Sequence, residues 1–345
     1  MHRPIVPLLI GISIALGVFF LLNLLLGSVP IPLRAICEML LGHEGQPVVW
    51  QNILWKSRVP QALTALVAGA ALSVSGLQMQ TVFRNPLADP SVLGVSAGAS
   101  LGVAFVVLLS GALGGVALSR LGYLGEIALS VAAILGSLSV LALIVFISTK
   151  VKGNVTLLII GVMIGYVANA IIGVLKFFSV EEDIRAYVIW GLGSFARVSG
   201  DQMLLFVTLM AMLIPLSFLL IKTMNLLLLG SNYARNLGLN IHRARLLVIL
   251  SAGILVAIVT AYCGPIMFIG LAVPHLARTL FRSSDHRVLM PATVLIGSTL
   301  ALACNLIARM PGFEGALPLN SVTALIGAPV VASVLFRKRK EEMNE

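Results

Sequence analysis

Ten apolar runs, each near the length that crosses a bilayer, exclude most soluble folds for this chain. A helical span needs about 20 predominantly apolar residues. The runs fall at roughly 5–26, 60–82, 93–112, 126–147, 156–177, 202–221, 245–263, 265–281, 288–308 and 320–336. Only 10% of the residues are charged and the mean hydropathy is +1.05, where a soluble domain carries about 25% charged residues. The expected fold is an all-α integral membrane protein with about ten transmembrane helices in a single domain, 1–345. The eighth run, "GPIMFIGLAVPHLAR", is interrupted by Pro265 and Pro274 and reads as a broken or tilted span. The first run is longer than a signal-peptide core and lacks a small-residue cleavage site, so it reads as an anchor.

An even number of spans puts both termini on one side. If that side is cytoplasmic, it carries 15 of the 23 Lys and Arg residues, from Arg3, Arg84, Lys150 and Lys152 to the Arg337–Lys340 run. The other side carries 8: Arg34, Lys56, Arg58, Arg120, Lys176, Arg185, Arg197 and Arg309. Cytoplasmic loops are enriched in such residues, so both termini are expected in the cytoplasm. The charge is spread over short loops, which points to topology and not to nucleic-acid binding.

What the runs lack narrows the function. No span holds Asp or Glu near its middle, where ion-coupled carriers usually bind their ion. No phosphate-binding loop is present, because no Lys follows Gly. The three cysteines are odd in number and have no metal-ligand spacing. No catalytic constellation or metal set is legible, so uphill movement of a solute would need energy from a partner. An ion-coupled secondary transporter stays the alternative class, and it would need a buried acid.

Polar turns and glycine stripes are the informative remainder. "FRNPLADPSVLGVSAGASLG", residues 83–102, breaks a helix at Pro86 and Pro90 and then repeats Gly94, Gly98 and Gly102 every fourth position. A second stripe, Gly161, Gly165, Asn169 and Gly173, has the same spacing. Such stripes let helices approach closely, or leave a smooth wall along a solute pathway; Asn169 favours a pathway for the second. The loop 222–244 contains two short helical stretches, "NLLLLG" and "NYARNLG", each stopped by Gly. It suits a docking element for a soluble partner. On the opposite side, 49–63 and 179–202 read as interfacial helices, with Trp50, Trp55 and Trp190 as membrane-surface anchors.

Five ordered blocks resemble the FecCD-type permease family, the membrane subunits of ABC importers for iron–siderophores, haem and vitamin B12. They are "SRVPQALTALVAGAALSVSGLQMQ", "RNPLADPSVLGVSAGASLG", "GPIMFIGLAVPHLAR", "DHRVLMPA" and "LPLNSVTALIGAPVVASVL". The resemblance implies the type II ABC importer permease architecture in a bacterial inner membrane, surrounded by lipid. It implies a homodimer, two ATPase subunits that hold ATP and Mg, and a periplasmic binding protein. No cofactor is expected in this chain, and hydrolysis belongs to the partner. By the same resemblance Asn85 and Leu87 belong to a cytoplasmic gate; Gly161, Gly165 and Asn169 are expected to line the pathway from the stripe itself. Residues 230–238 form the ATPase-coupling segment, with Gly230, Ala234, Leu237 and Gly238 as its key positions and Ala234 and Leu237 expected on one helical face. Arg58 and Arg309 match positions that meet acidic groups of the binding protein, while Gln61 stands where the family often has a second Arg. The expected cargo is haem or a ferric siderophore, with cobalamin as the alternative.

Overall fold

The computed structural model describes residues 5–27, 29–42, 45–112, 123–151, 153–198, 200–310 and 317–342. Arg3, Arg120 and Lys152, counted in the charge balance, lie outside the described residues. The described residues are helical throughout. Each apolar run became a helix: α1 (Ile5–Leu25), α4 (Val59–Phe83), α5 (Val95–Ala112), α6 (Tyr123–Lys150), α7 (Asn154–Phe177), α9 (Gly200–Phe218), α12 (Ile241–Cys263), α13 (Ile269–Phe281), α14 (His286–Ala308) and α15 (Leu319–Glu342). Five shorter helices join them: α2 (Leu33–Leu40), α3 (Val48–Ile53), α8 (Glu181–Gly191), α10 (Ile221–Leu228) and α11 (Ser231–Asn236).

Helix α4 is the axis of the molecule, packed by α14, α12, α13 and α9. Lipid gives apolar helices no hydrophobic reason to associate, so contact rests on small residues and interhelical hydrogen bonds. The α4 sequence supplies both. A methyl group on Gly76 would run into the backbone of Gly270 on α13, and one on Gly297 of α14 would meet the Gly69 carbonyl at 2.5 Å. Ser73 Oγ donates to the Thr293 carbonyl at 2.8 Å, and Ser75 Oγ to the Ala252 carbonyl at 2.9 Å. Near the outer end a chain of amides crosses three helices. Gln61 Nε2 donates to Asn305 Oδ1 at 3.0 Å, and Asn305 Nδ2 donates to Asn23 Oδ1 at 2.7 Å. Gln61 is buried there and so is no counterpart of a docking arginine.

The first glycine stripe is a packing seam. A methyl group on Gly98 would sit 2.5 Å from the Gly136 carbonyl of α6, and Gly102 meets Ala132 in the same way.

Two expectations change at the outer end and a third holds. Residues 49–63 are not a separate interfacial helix, because α3 runs through a π-helical turn at Leu54–Arg58 directly into α4. Trp190 is no membrane-surface anchor: it is 2% exposed, with the Arg197 guanidinium 5.9 Å from its ring. The eighth run is broken as expected, and α13 begins only at Ile269 after left-handed backbone at Gly264 and Phe268. Asn320 of α15 holds that break, donating from Nδ2 to the Pro265 and Gly191 carbonyls and accepting from Met267 N.

Candidate gate and coupling site

The polar turn after α4 is built by local chemistry. Arg84 ends the helix in the left-handed region at φ 49°. Asn85 Oδ1 accepts from Leu87 N at 2.9 Å, an Asx turn between Pro86 and Ala88. Asp89 Oδ1 accepts from Ser91 N at 2.8 Å and caps the short 3₁₀ turn that leads to α5. Burial pushes the Asp89 carboxyl above its ordinary range, against the lowering effect of the Ser91 hydrogen bonds. Pro86 and Pro90 fix φ on either side of this turn. The result presents Leu87, 39% exposed, at its tip.

This turn is tied to the long cytoplasmic loop. Helix α9 bends by 46° into α10, which packs against α4 and α14. Arg84 Nη2 donates to the Leu227 carbonyl at 2.6 Å, near the C-terminal end of α10 where carbonyls lack helical partners. A second tie runs through Asn225. Its Nδ2 donates to the Asp285 carboxylate at 2.6 Å, so its Oδ1 faces His286, at 2.9 Å from the backbone N and 2.7 Å from Nδ1. A carbonyl oxygen only accepts, so the proton of a neutral His286 sits on Nδ1. Nε2 lies 2.8 Å from the Thr81 hydroxyl on α4, one turn before Asn85, and that hydroxyl also reaches the Leu77 carbonyl at 2.7 Å. The backbone N–H of Arg287 is the first cause that holds the Asp285 carboxyl below the usual range. Arg278 of α13 donates to Gln80 Oε1, a third tie to the same end of α4. Sequence reading missed Arg84, Asn225 and His286. Asn225 was legible only as the one polar residue in "MNLLLL", and His286 only as part of "DHRVLMPA".

The coupling segment differs from expectation in one respect. Gly230 at φ 111° and Gly238 at φ 82° bound α11 as expected. Ala234, however, is fully buried against the chain's own helices, while Leu237 is 55% exposed and follows the helix end. The two do not share a face, because α11 stops at Asn236 and the chain turns, with Leu239 N donating to the Ala234 carbonyl. The outward apolar groups are Leu229, Tyr233 and Leu237.

The second glycine stripe divides along its length. Gly161 is buried where α7 crosses the start of α5, with its carbonyl 3.1 Å from the point a Cβ on Gly94 would occupy. It is a packing residue, not a wall residue. Gly165 is half-buried, and Asn169 is exposed, with no hydrogen-bond partner among the described residues.

At the outer end Arg58 is 1% exposed, which corrects its expected availability to a partner. The π turn swings it inward. Its Nη1 donates to the Leu24 and Leu25 carbonyls at 2.6 and 2.8 Å, and Nη2 donates to the Val29 carbonyl. It caps α1, whose last carbonyls have no helical donor. Arg309 is half-buried beside it, and both guanidinia lie within 3.3 Å of where a Cβ on Gly27 would be. Burial and the neighbouring Arg58 both lower the Arg309 pKa.

Comparison with known proteins agrees with this architecture. The FecCD transport family profile matches residues 15–337. The vitamin B12 import system permease protein BtuC of Klebsiella pneumoniae subsp. pneumoniae is 36% identical over 332 residues, 96% of this chain and 94% of that protein. The hemin transport system permease protein HmuU of Yersinia pestis is 35% identical over 294 residues, covering 85% and 84%. A solved chain described as an inward-facing ABC transporter of the metal-chelate type superposes with a TM-score of 0.82 at 30% identity, covering 96% of this chain and 99% of that one. The chain belongs to the FecCD transport family, as an ABC importer permease of the metal-chelate, haem and vitamin B12 type.

Proposed function

We propose that two copies of this chain form the membrane pathway of an ATP-driven importer that carries an intact iron chelate, haem or a ferric siderophore, into the cytoplasm. The observation that carries this reading is the exposed Asn169 carboxamide near the middle of α7. An unpartnered amide at that depth is costly against lipid and inexpensive against a wet pathway. Around it α7 exposes Met163 and Tyr166 and has no carboxylate, thiol or imidazole along its length. A bare metal ion would want such ligands. A chelate carried whole needs only a smooth wall and a few polar contacts, and thioether and phenol groups are of the kinds that meet haem iron.

In this reading Asn85 and Leu87 close the cytoplasmic neck, with Leu87 of each copy toward the axis. The ATPase subunits hold ATP and Mg and dock on the face made by Leu229, Tyr233 and Leu237. Ala234, Gly230 and Gly238 shape that face from behind. Arg309 attracts the acidic surface of a periplasmic binding protein, and Arg58 holds the outer end in place. A host inner membrane with both termini in the cytoplasm follows from the charge bias.

A second reading, cobalamin as cargo, is favoured by the 36% identity to a vitamin B12 permease. Reconstitution with the cognate ATPase and binding protein in liposomes separates the two. ATP-dependent uptake of haem or a ferric siderophore, with none of cyanocobalamin, supports the first reading; the converse supports the second.

A further inference from the structure

One cleft takes no lining from the gate turn, neither Asn85 nor Leu87 bordering it. Helices α1 and α13 both pack on α14 and leave between them a cleft of about 610 Å³. Its walls are apolar. The hydroxyls of Thr279 and Thr299 are occupied within their own helices, by His275 Nε2 at 3.2 Å and the Leu295 carbonyl at 2.7 Å. Gly11 and Ala15 keep the α1 wall thin, and a Cβ on Gly11 would touch nothing within 4 Å. The cleft starts at Arg282, at the cytoplasmic end of α13, and rises past mid-helix to Ala303, about three-quarters of the way along α14. Arg282 is exposed and has no hydrogen bond or ion pair among the described residues. The nearby Asp285 is taken by Asn225 and the Arg287 backbone.

We infer that this cleft is a binding site for one anionic phospholipid of the cytoplasmic leaflet. One acyl chain lies along Gly11, Ala15 and Leu300, and the phosphate meets the Arg282 guanidinium. Three features select that ligand. The cleft is within the membrane-spanning helices, so an apolar occupant is supplied by the bilayer. It opens at the cytoplasmic interface beside Arg282 and runs lengthwise between the spans to Ala303, the direction in which an acyl chain lies. Among the described residues that line it, the charged group is the Arg282 guanidinium, whose paired donors match phosphate oxygens, and basic pockets between spans on the cytoplasmic side recognise anionic headgroups.

The test uses the full-length chain in nanodiscs of equal parts phosphatidylglycerol and phosphatidylcholine, extracted into detergent and examined by native mass spectrometry. Wild type should retain phosphatidylglycerol over phosphatidylcholine. Arg282→Gln should lose about tenfold of that retention, as expected for one charge-assisted contact. Gly11→Leu should lose retention of either lipid while its thermal midpoint in lipid-free detergent stays at the wild-type value. A phosphatidylglycerol carrying a photoreactive acyl chain should label segments 9–19 and 296–303. Equal retention of both lipids by wild type, unchanged retention in both variants, or cross-linking of Gly11→Cys to a second protein chain in place of lipid would overturn the inference.

Discussion

Arg84 and Leu227 join the two parts of the molecule that an ATP-driven permease must coordinate: the guanidinium at the end of α4 donates to a carbonyl near the end of α10, 143 residues later, at 2.6 Å. Together with the Asn225–His286 contacts it ties α10 to the end of α4 and the start of α14, so that in the proposed reading α10 is a strut between the coupling segment and the gate loop. A movement of α11 under a soluble partner would pull on the turn that carries Asn85 and Leu87.

Breaking that strut should uncouple hydrolysis from transport. Arg84→Ala combined with Asn225→Leu removes the ties and leaves the exposed face of α11 intact. ATPase subunits should co-purify normally and hydrolyse ATP, while uptake per ATP falls at least about tenfold, since even one lost charge-assisted hydrogen bond at about 1.5 kcal/mol corresponds to that factor. Paired hydrolysis and uptake assays in the same liposomes measure it. An unchanged ratio of uptake to hydrolysis would show that the strut transmits nothing.

The gate reading predicts a contact between copies. Leu87→Cys, in a background with Cys37, Cys263 and Cys304 replaced by Ser, should form an inter-subunit disulfide under mild oxidation, because the bond needs Cα atoms within about 7 Å. Its yield should change when a non-hydrolysable nucleotide is added to the complex. No dimer band in any nucleotide state would leave the loop as a rigid turn.

Ala234 and Leu237 should separate folding from docking. Ala234→Glu forces a charge into fully buried space, where an unpaired charge is strongly unfavourable, so it should lower the yield of folded protein even without partners. Leu237→Asp, on an exposed residue, should leave the thermal midpoint of the isolated chain unchanged and weaken ATPase co-purification. The reverse pattern would mean that the docking face lies elsewhere.

Arg58 and Arg309 should separate in the same manner. Arg58→Ala leaves three carbonyls near the end of α1 without their donor, a loss of about 1–3 kcal/mol, visible as a lower thermal midpoint. Arg309→Glu should instead slow association with the binding protein, and the wild-type on-rate should fall with salt. An on-rate for Arg309→Glu equal to wild type at low salt would remove this residue from the docking surface.

The sequence made the framework legible because bilayer thickness sets one length scale. All ten apolar runs became helices, and the Gly-bounded pair in 222–244 became α10 and α11. What it hid depended on rotation. The π turn at 54–58 turns Arg58 from the surface to the end of α1, and no periodicity in "LWKSR" reveals that shift. Early termination of α11 separated Ala234 from Leu237. Trp190 looked like other interfacial tryptophans, but α8 packs on α5 and the Arg197 guanidinium lies over the Trp190 ring. The Gly161 stripe kept its spacing, but only Gly161 is buried; further along α7 the buried positions are Ala168 and Ile172, and Asn169 is exposed.

Transport of an intact chelate is the central claim, and a double-label uptake assay tests it most directly. The complete complex in liposomes would be given a ferric chelate with one isotope on the iron and another on the chelator. The account predicts that both labels enter in a one-to-one ratio, only with internal ATP, and that an imposed proton or sodium gradient does not replace it. Entry of iron without its chelator, or uptake driven by an ion gradient without ATP, would contradict it.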